Sequence, residues 1–152
     1  MELKLQLIGA LQAIVTDLSQ QADGHMIQSR IFAAQGFTKL ADKYAEHAAE
    51  ERGYVEQCMD RILDLGGEVK NEAKAAAPTY TDPVEWVKYD LQVSIDGLAA
   101  LAPLVELSRP DLTTYDILAD YYKDEEEDLY WGEQQLALIE MIGKQNWLNN
   151  QL

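Results

Sequence analysis

The spacing of apolar residues limits the structure of this chain more than any other feature of its sequence. In four long segments these residues recur every three or four positions, as in Leu11, Val15, Leu18, Ala22 and Met26, which is the period of one helix face. Glycine and proline number only 9 and 4 in 152 residues, and the ones that interrupt the pattern lie between the segments. The sequence therefore predicts an all-α protein built from long helices.

The predicted segments leave one long connection between the second and the third. Residues 67–80 are polar and contain alanine and proline, and this crossover exceeds the ~2–8 residues that usually join helices in a bundle. Two tight helical hairpins joined by the crossover satisfy these lengths, within a single domain over residues 1–152. The alternative is a plain up-and-down bundle with a floppy loop. We place helices A to E at about 3–35, 38–65, 82–108, 111–142 and 144–151.

Composition limits the partners and the compartment that we expect. The net charge of −15 repels a phosphate backbone, so nucleic acid is not expected as a partner, whereas metal cations or a basic partner are attracted. The first ten residues carry Glu2 and Lys4 and do not resemble a signal peptide. No stretch approaches the ~18 apolar residues of a membrane span. The single Cys58 excludes an internal disulfide, which fits the reducing cytoplasm. We therefore expect a cytoplasmic protein, and the lack of an apolar span predicts that it contacts no membrane.

Acidic residues interrupt two of the apolar helix faces. Glu51 lies on the apolar line of segment B, and Glu125 lies on that of segment D. A buried carboxylate is costly unless it is paired, protonated or bound to a metal ion, and di-metal bundles direct such acids inward from several helices. Asp128, three residues after Glu125, adds an oxygen donor. The pattern predicts a metal site; the alternative is a core in which these acids are only hydrogen-bonded.

Further candidate residues accompany this pair of acids. His25 lies beside the apolar line of segment A, and Tyr54 follows the acid of segment B by three residues, where it is a candidate outer neighbour of the metal site. Glu46 and Glu50 are four residues apart, so their carboxylates lie side by side on a helix. They form a candidate second metal site, and the alternative is an ordinary solvated face.

Further evidence comes from five sets of residues, which are 36–40, 60–67, 90–91 with 96–97, 124–126 with Trp131, and 138–146. In these stretches the chain resembles the bacterioferritins of the ferritin-like superfamily. The resemblance covers nearly the whole chain and implies a ferritin-like four-helix bundle with a long B–C crossover and a short C-terminal helix. It also implies a hollow cage of 24 subunits that oxidises ferrous iron at a di-iron centre within each subunit and stores ferric mineral. Most members also bind haem at a two-fold interface.

The resemblance transfers the ligands of the family's di-iron centre only in part. The two bridging glutamates fall on Glu51 and Glu125. The histidine that accompanies the second bridge falls on Asp128, which can still bind iron through oxygen. The other three ligands are lost or changed in kind, since they fall on Leu18, Tyr54 and Ser94. The resemblance therefore implies a divergent centre.

Three other positions of the family also differ here. A tyrosine near the centre falls on His25, which adds a nitrogen donor, and an inner-surface iron site falls on Glu46 and Glu50. The haem methionine falls on Arg52, so no haem is expected through that ligand.

These observations lead to three functional hypotheses. The first is a cage subunit that binds and stores iron with a degenerate or remodelled di-metal centre, in which ferrous oxidation is weak or absent. The second is an inactive structural or scaffold subunit, co-assembled with an active paralogue. Both predict an oligomer, with 24 subunits favoured over 12. The third, ranked last, is a DNA-protecting mini-ferritin, whose ligands would lie near Glu56 and Asp60 while its expected histidine falls on Ile31.

Overall fold

The computed structural model describes residues 2–152 and consists of helices, with no strand among these residues. Four long helices and one short helix follow one another along the chain. This confirms the predicted all-α four-helix bundle with a short C-terminal helix. The helices are α1 (Leu3–Ala34), α2 (Thr38–Asp64), α3 (Pro83–Ser108), α4 (Leu112–Ile142) and α5 (Lys144–Asn149).

Local sequence signals account for the helix ends. The carboxylate of Asp82 accepts a hydrogen bond from the backbone N–H of Val84 at the start of α3, and Pro83 occupies the first turn, where its missing N–H costs nothing. The Asp111 side chain caps α4 in the same way. Gly143 separates α4 from α5 with a φ of 83°, a left-handed backbone conformation that glycine adopts without steric strain.

The crossover is held against α1 by a series of glutamine side chains. Gln12 exchanges two hydrogen bonds with the backbone of Lys70, and Gln28 exchanges two with the backbone of Tyr80. Between them, Gln20 donates to the carbonyl of Ala75 at 2.6 Å. The connection is therefore anchored along the length of α1, and the alternative of a plain bundle with a floppy loop is wrong.

This anchoring fixes the directions of the helices. The crossover runs alongside α1 from near Gln12 to near Gln28, so α3 begins beside the C-terminal part of α1. Helix α3 consequently runs antiparallel to α1 and parallel to α2, since α1 and α2 form a tight hairpin. Helix α4 then returns along α3 and is parallel to α1.

Two apolar clusters form the core, one toward each end of the bundle. The first is built around Leu11, Leu18, Val55, Ile62 and Leu118. The second is aromatic, and α5 contributes to it through Trp147, which is 1% exposed. Between the two clusters lies a layer of buried and partly buried polar side chains that all four long helices supply.

One apolar line of the sequence is displaced in the structure. The spacing places Met26 on the inner face of α1, but Met26 is 40% exposed and His25 is 3% exposed. The buried face continues through Ala22, His25, Ser29 and Phe32, at steps of three and four residues. His25 therefore points into the bundle, whereas Met26 lies outside.

Helix α3 is unusually apolar for a helix of a bundle. Within the described part of the chain it alone is long and apolar enough to cross a membrane, with a mean hydropathy of 1.3 over its best window. Length and composition of one helix are weak evidence for a span, because core helices pass the same test. This differs from the expectation that no stretch comes near a membrane span.

Candidate metal centre

Each long helix contributes two polar side chains to the layer between the apolar clusters. Within each pair the residues are three or four positions apart, so both side chains lie on the same helix face. The layer lies inside the bundle, and all of its residues belong to helices. Its members are Gln21 and His25 on α1, His47 and Glu51 on α2, Asp90 and Ser94 on α3, and Glu125 and Asp128 on α4.

Glu51 is at the centre of a hydrogen-bonded chain of side chains. It is 3% exposed, and its Oε1 lies 2.5 Å from His25 Nδ1 while its Oε2 accepts a 2.6 Å hydrogen bond from Gln21. Burial raises the pKa of Glu51, and the bonds from His25 and Gln21 offset part of that rise. Both oxygens of Glu51 thus have donors from α1.

His25 joins two carboxylates from different helices. Its Nδ1 faces Glu51, and its Nε2 lies 2.8 Å from Asp90 Oδ1 on α3. Burial alone would lower the pKa of His25, but Asp90 and Glu51 together raise it well above the ordinary value. The protonated ring therefore lies between two acids, a position that also suits a bound cation.

The two acids of α4, Glu125 and Asp128, lie in the same layer. Burial and the charge of Glu51 raise the pKa of Glu125 to about 7, and the facing hydroxyl of Ser94 offsets part of the rise. Burial and the charge of Glu125 raise the pKa of Asp128 to about 8. These acids repel one another when ionised, and a metal cation would remove that repulsion.

His47 is buried, and its ring makes no hydrogen bond within the described part of the chain. The side chain is 2% exposed, and neither ring nitrogen has a hydrogen-bond partner among residues 2–152. Its Nε2 comes within 3.4 Å of Asp128 Oδ1, but without the geometry of a hydrogen bond. Burial and the neighbouring His25 cation lower the pKa of His47 to about 3. The ring is therefore neutral, which is the form that binds metal ions.

The predicted site residues divide into two groups. His25, Glu51, Glu125 and Asp128 all lie in the buried layer. Tyr54 instead packs on Tyr121, with ring centroids 5.3 Å apart, and its hydroxyl faces the carbonyl of Asp120. Its candidate role as an outer neighbour of the metal stays a prediction.

The second predicted site lies beside the buried layer. Glu50 offers an oxygen within 4.8 Å of oxygens of Asp124 and Asp128, and Glu46 is exposed nearby. Burial together with the charges of Asp124 and Glu46 raises the pKa of Glu50 to about 7. Asp128 thus belongs to both groups and connects them.

Two residues of the layer were not predicted as core ligands. His47 follows Glu46 of the candidate second site directly in the sequence, and Asp90 lies in one of the stretches that carry the resemblance. The signal that identifies them is spacing, because His47 precedes Glu51 by four residues and Asp90 precedes Ser94 by four. Each therefore shares a face with a residue already predicted to point inward.

The donors present fit a transition metal ion. Carboxylate oxygens suit iron or manganese, and imidazole nitrogens suit iron, zinc or cobalt. A metal ion would also satisfy the ring nitrogens of His47, because buried polar groups normally have a partner. By contrast, Leu18 is 1% exposed within the first apolar cluster. Arg52 lies on the outside, paired with Asp23.

Comparison with known proteins gives a consistent result. A family model described as a ferritin-like domain matches residues 8–142. The bacterial ferritin of Neisseria meningitidis serogroup B is 38% identical over 133 residues, which are 86% of each chain. The bacterial ferritin of Pseudomonas aeruginosa is 33% identical over 150 residues, or 97% of each chain. The bacterioferritin of Mycobacterium leprae is 27% identical over 80% of this chain and 77% of its own.

Proposed function

The chain belongs to the ferritin-like family, and on this premise we propose that it is a cage subunit that binds and stores iron at a remodelled metal centre. The observation that carries the proposal is the buried layer of carboxylates and imidazoles between two apolar clusters. Burying so many ionisable groups is costly unless a ligand compensates for it, and iron cations are the ligand that both the donors and the family favour.

Iron is the cargo of such a subunit, and the candidate ligands are Glu51, Glu125, Asp128 and His25. Ferrous iron bound there would neutralise acids that otherwise repel one another. Its oxidation transfers one electron from each ferrous ion to an oxidant such as dioxygen. We propose that this step is weak, because Leu18, Tyr54 and Ser94 occupy three of the positions that hold ligands in the family. Glu46 and Glu50 would bind iron at the inner surface of the cage.

The assembly and its surroundings follow from the same premise. We propose a homo-oligomer of 24 subunits, with 12 as the smaller alternative, located in the cytoplasm. The net charge of −15 disfavours nucleic acid as a partner, which also counts against a DNA-protecting mini-ferritin. No haem is expected at Arg52, because its guanidinium cannot replace a thioether ligand and pairs with Asp23.

An aerobic titration with ferrous iron tests the proposal. The metal-free protein is mixed with ferrous salt, ferric absorbance is followed, and the iron that remains with the protein after gel filtration is counted. We compare a Glu51→Gln, Asp128→Asn variant with a control Asp42→Asn, Glu127→Gln variant, which removes two exposed acids from the same two helices. We expect the first variant to retain about tenfold less iron, since ligands are lost, and the control to match the unmodified protein.

The competing function is a scaffold subunit without metal chemistry. One feature favours it, since Gln21 and His25 already satisfy both oxygens of Glu51. An assembled particle that retains no more iron than a buffer control would support the scaffold and reject iron storage. If the two variants retain equal amounts of iron, the side chains of the buried layer do not bind it.

A further inference from the structure

We propose that His25, His47 and Asp90 form a nitrogen-rich binding position for one divalent first-row transition metal ion. This position lies about one helical turn from the level of Glu51 and Glu125. The inference rests on the proposed function in one respect, which is that iron is the ion bound in the cell. The ability of this position to bind a metal ion follows from the local geometry alone. It differs from the carboxylate ligand set above by adding His47 and Asp90 and by giving Glu51 another role.

The donor atoms already lie close together. A ring nitrogen of each histidine and a carboxylate oxygen of Asp90 are all within 4.8 Å of one another, and His25 Nε2 is 2.8 Å from Asp90 Oδ1. Metal–nitrogen and metal–oxygen bonds of about 2.0–2.2 Å place ligand atoms roughly 3–3.5 Å apart. Shifts of about an ångström in side chains, with no change in the helices, therefore bring the three donors to coordination distance.

Helix directions place these donors at one level of the bundle. His25 follows Gln21 by four residues on α1, whereas His47 precedes Glu51 and Asp90 precedes Ser94 by four residues on α2 and α3. Because α1 runs antiparallel to α2 and α3, a step forward on α1 and a step back on the others move toward the same end. Three helices thus supply one donor each to a single position.

His47 provides the independent evidence for a ligand. Its ring is buried in the layer, and within residues 2–152 both nitrogens lack a hydrogen-bond partner. Leaving a buried donor or acceptor unsatisfied destabilises a protein, so such groups are rare in folded proteins. The ring lies edge-on to His25, with centroids 5.5 Å apart. A metal ion shared with His25 would give it the missing partner.

Glu51 has the contacts of an outer-shell residue. A metal-bound histidine usually donates its other ring N–H to a carboxylate, which fixes the orientation of the ring. Here His25 Nδ1 lies 2.5 Å from Glu51 Oε1, and Gln21 holds the second oxygen of Glu51. Nε2 of His25 can therefore bind the metal without breaking the contact to Glu51. Coordination replaces the hydrogen bond between Nε2 and Asp90, and the proton that Nε2 carries is released to solvent.

A cavity reaches this position from one side of the bundle. Its volume is about 360 Å³, and it lies between α1, the crossover and α3, bordered by Gln21, His25, Trp86 and Asp90 among others. An ion can thus approach two of the three donors without crossing either apolar cluster. Two imidazoles and one carboxylate favour iron, cobalt, nickel or zinc over magnesium and calcium, which prefer oxygen ligands.

Anaerobic titration of the full-length, metal-free protein with Co²⁺ tests the inference. Visible absorption of Co²⁺ reports nitrogen ligands, and competition with Zn²⁺ gives the affinity. We expect one ion per subunit, and we expect His47→Phe and Asp90→Asn each to weaken binding by at least about tenfold. Asp42→Asn, an exposed acid on α2, should bind as the unmodified protein does. An anomalous map of a Co²⁺-soaked crystal should place the ion between His25, His47 and Asp90.

The outcomes separate this inference from the proposed function. Unchanged Co²⁺ affinity in Asp90→Asn, which keeps the shape of the side chain, overturns the inference even if His47→Phe is misfolded by circular dichroism. An anomalous peak at Glu125 and Asp128 alone also overturns it. Co²⁺ binding that depends on His47 and Asp90, in a protein that stores no iron, supports the position and rejects the storage function.

Discussion

At the scale of single residues, the buried acids of α4 are maintained at a cost to stability. Glu125 is 4% exposed, and burial together with Glu51 raises its pKa to about 7. An acid whose pKa is higher in the folded protein than in the unfolded chain destabilises the fold when it is ionised. The destabilisation is complete above about pH 7 and disappears as the pH falls toward 4.5, the ordinary value.

Glu125→Gln should therefore stabilise the metal-free protein while weakening its metal binding. We expect the free energy of unfolding at pH 8 to rise by about 1–3 kcal/mol, with a much smaller gain at pH 5. Urea unfolding at both pH values, in the presence of a chelator and at one protein concentration, measures the effect. Glu127→Gln changes an exposed acid two residues away and should have little effect. A loss of stability in Glu125→Gln at pH 8 would contradict the argument.

At the scale of elements, glutamine side chains hold the crossover in place. The crossover is not helical, so their amides bond to backbone N–H and C=O groups that lack helical partners. Gln28 is fully buried, and its amide both donates to the carbonyl of Tyr80 and accepts from its N–H. The path of the crossover decides where α3 begins. It therefore also decides that Asp90 faces His25.

Gln28→Leu should weaken this attachment more than any change at the exposed Gln35. We expect a loss of about 1–3 kcal/mol in the free energy of unfolding, because leucine leaves two backbone groups of Tyr80 without partners. Urea unfolding gives the loss, and hydrogen exchange at the amide of Tyr80 shows whether it is local. Gln35→Leu, which removes a single bond to Thr81, is the control. Equal effects of the two changes would count against a specific role of Gln28.

At the scale of the whole molecule, a single subunit leaves many large apolar side chains exposed. Leu112 is 76% exposed and Met141 is 73% exposed, and seven other large apolar side chains within residues 2–152 are at least 40% exposed. Family membership makes association between copies the expected explanation for these surfaces. The net charge of −15 per subunit opposes association, and added salt screens this repulsion.

Light scattering after gel filtration should therefore show a large particle that salt stabilises. Twenty-four subunits of 17.1 kDa give about 410 kDa, and twelve give about 205 kDa. We expect such a particle at 0.15 M salt, with partial dissociation on dilution into about 0.01 M salt, where charges interact over longer distances. A monomer or dimer in both buffers, with helical circular dichroism intact, would reject the cage.

The sequence by itself determined the features that depend on neighbours along the chain. Helix period and end signals such as Asp82 and Gly143 are local, so the long helices and the crossover could be predicted. Glu51 and Glu125 interrupt well-defined apolar faces, so their inward direction could be predicted as well. The resemblance also indicated that two ligand positions of the family are occupied here by Leu18 and Ser94.

Only the tertiary structure decided which side chains meet. Neighbouring positions on a helix point about 100° apart. A small error in the predicted direction of the apolar face therefore turns Met26 inward in place of His25. The contact of Asp90 with His25 depends on the crossover and on the antiparallel direction of α3, which no local pattern encodes. His47 follows Glu46 in the sequence, and only the packing of four helices buries its ring without a hydrogen-bond partner among residues 2–152. The position of a ligand set is a property of that packing, because its donors come from separate helices.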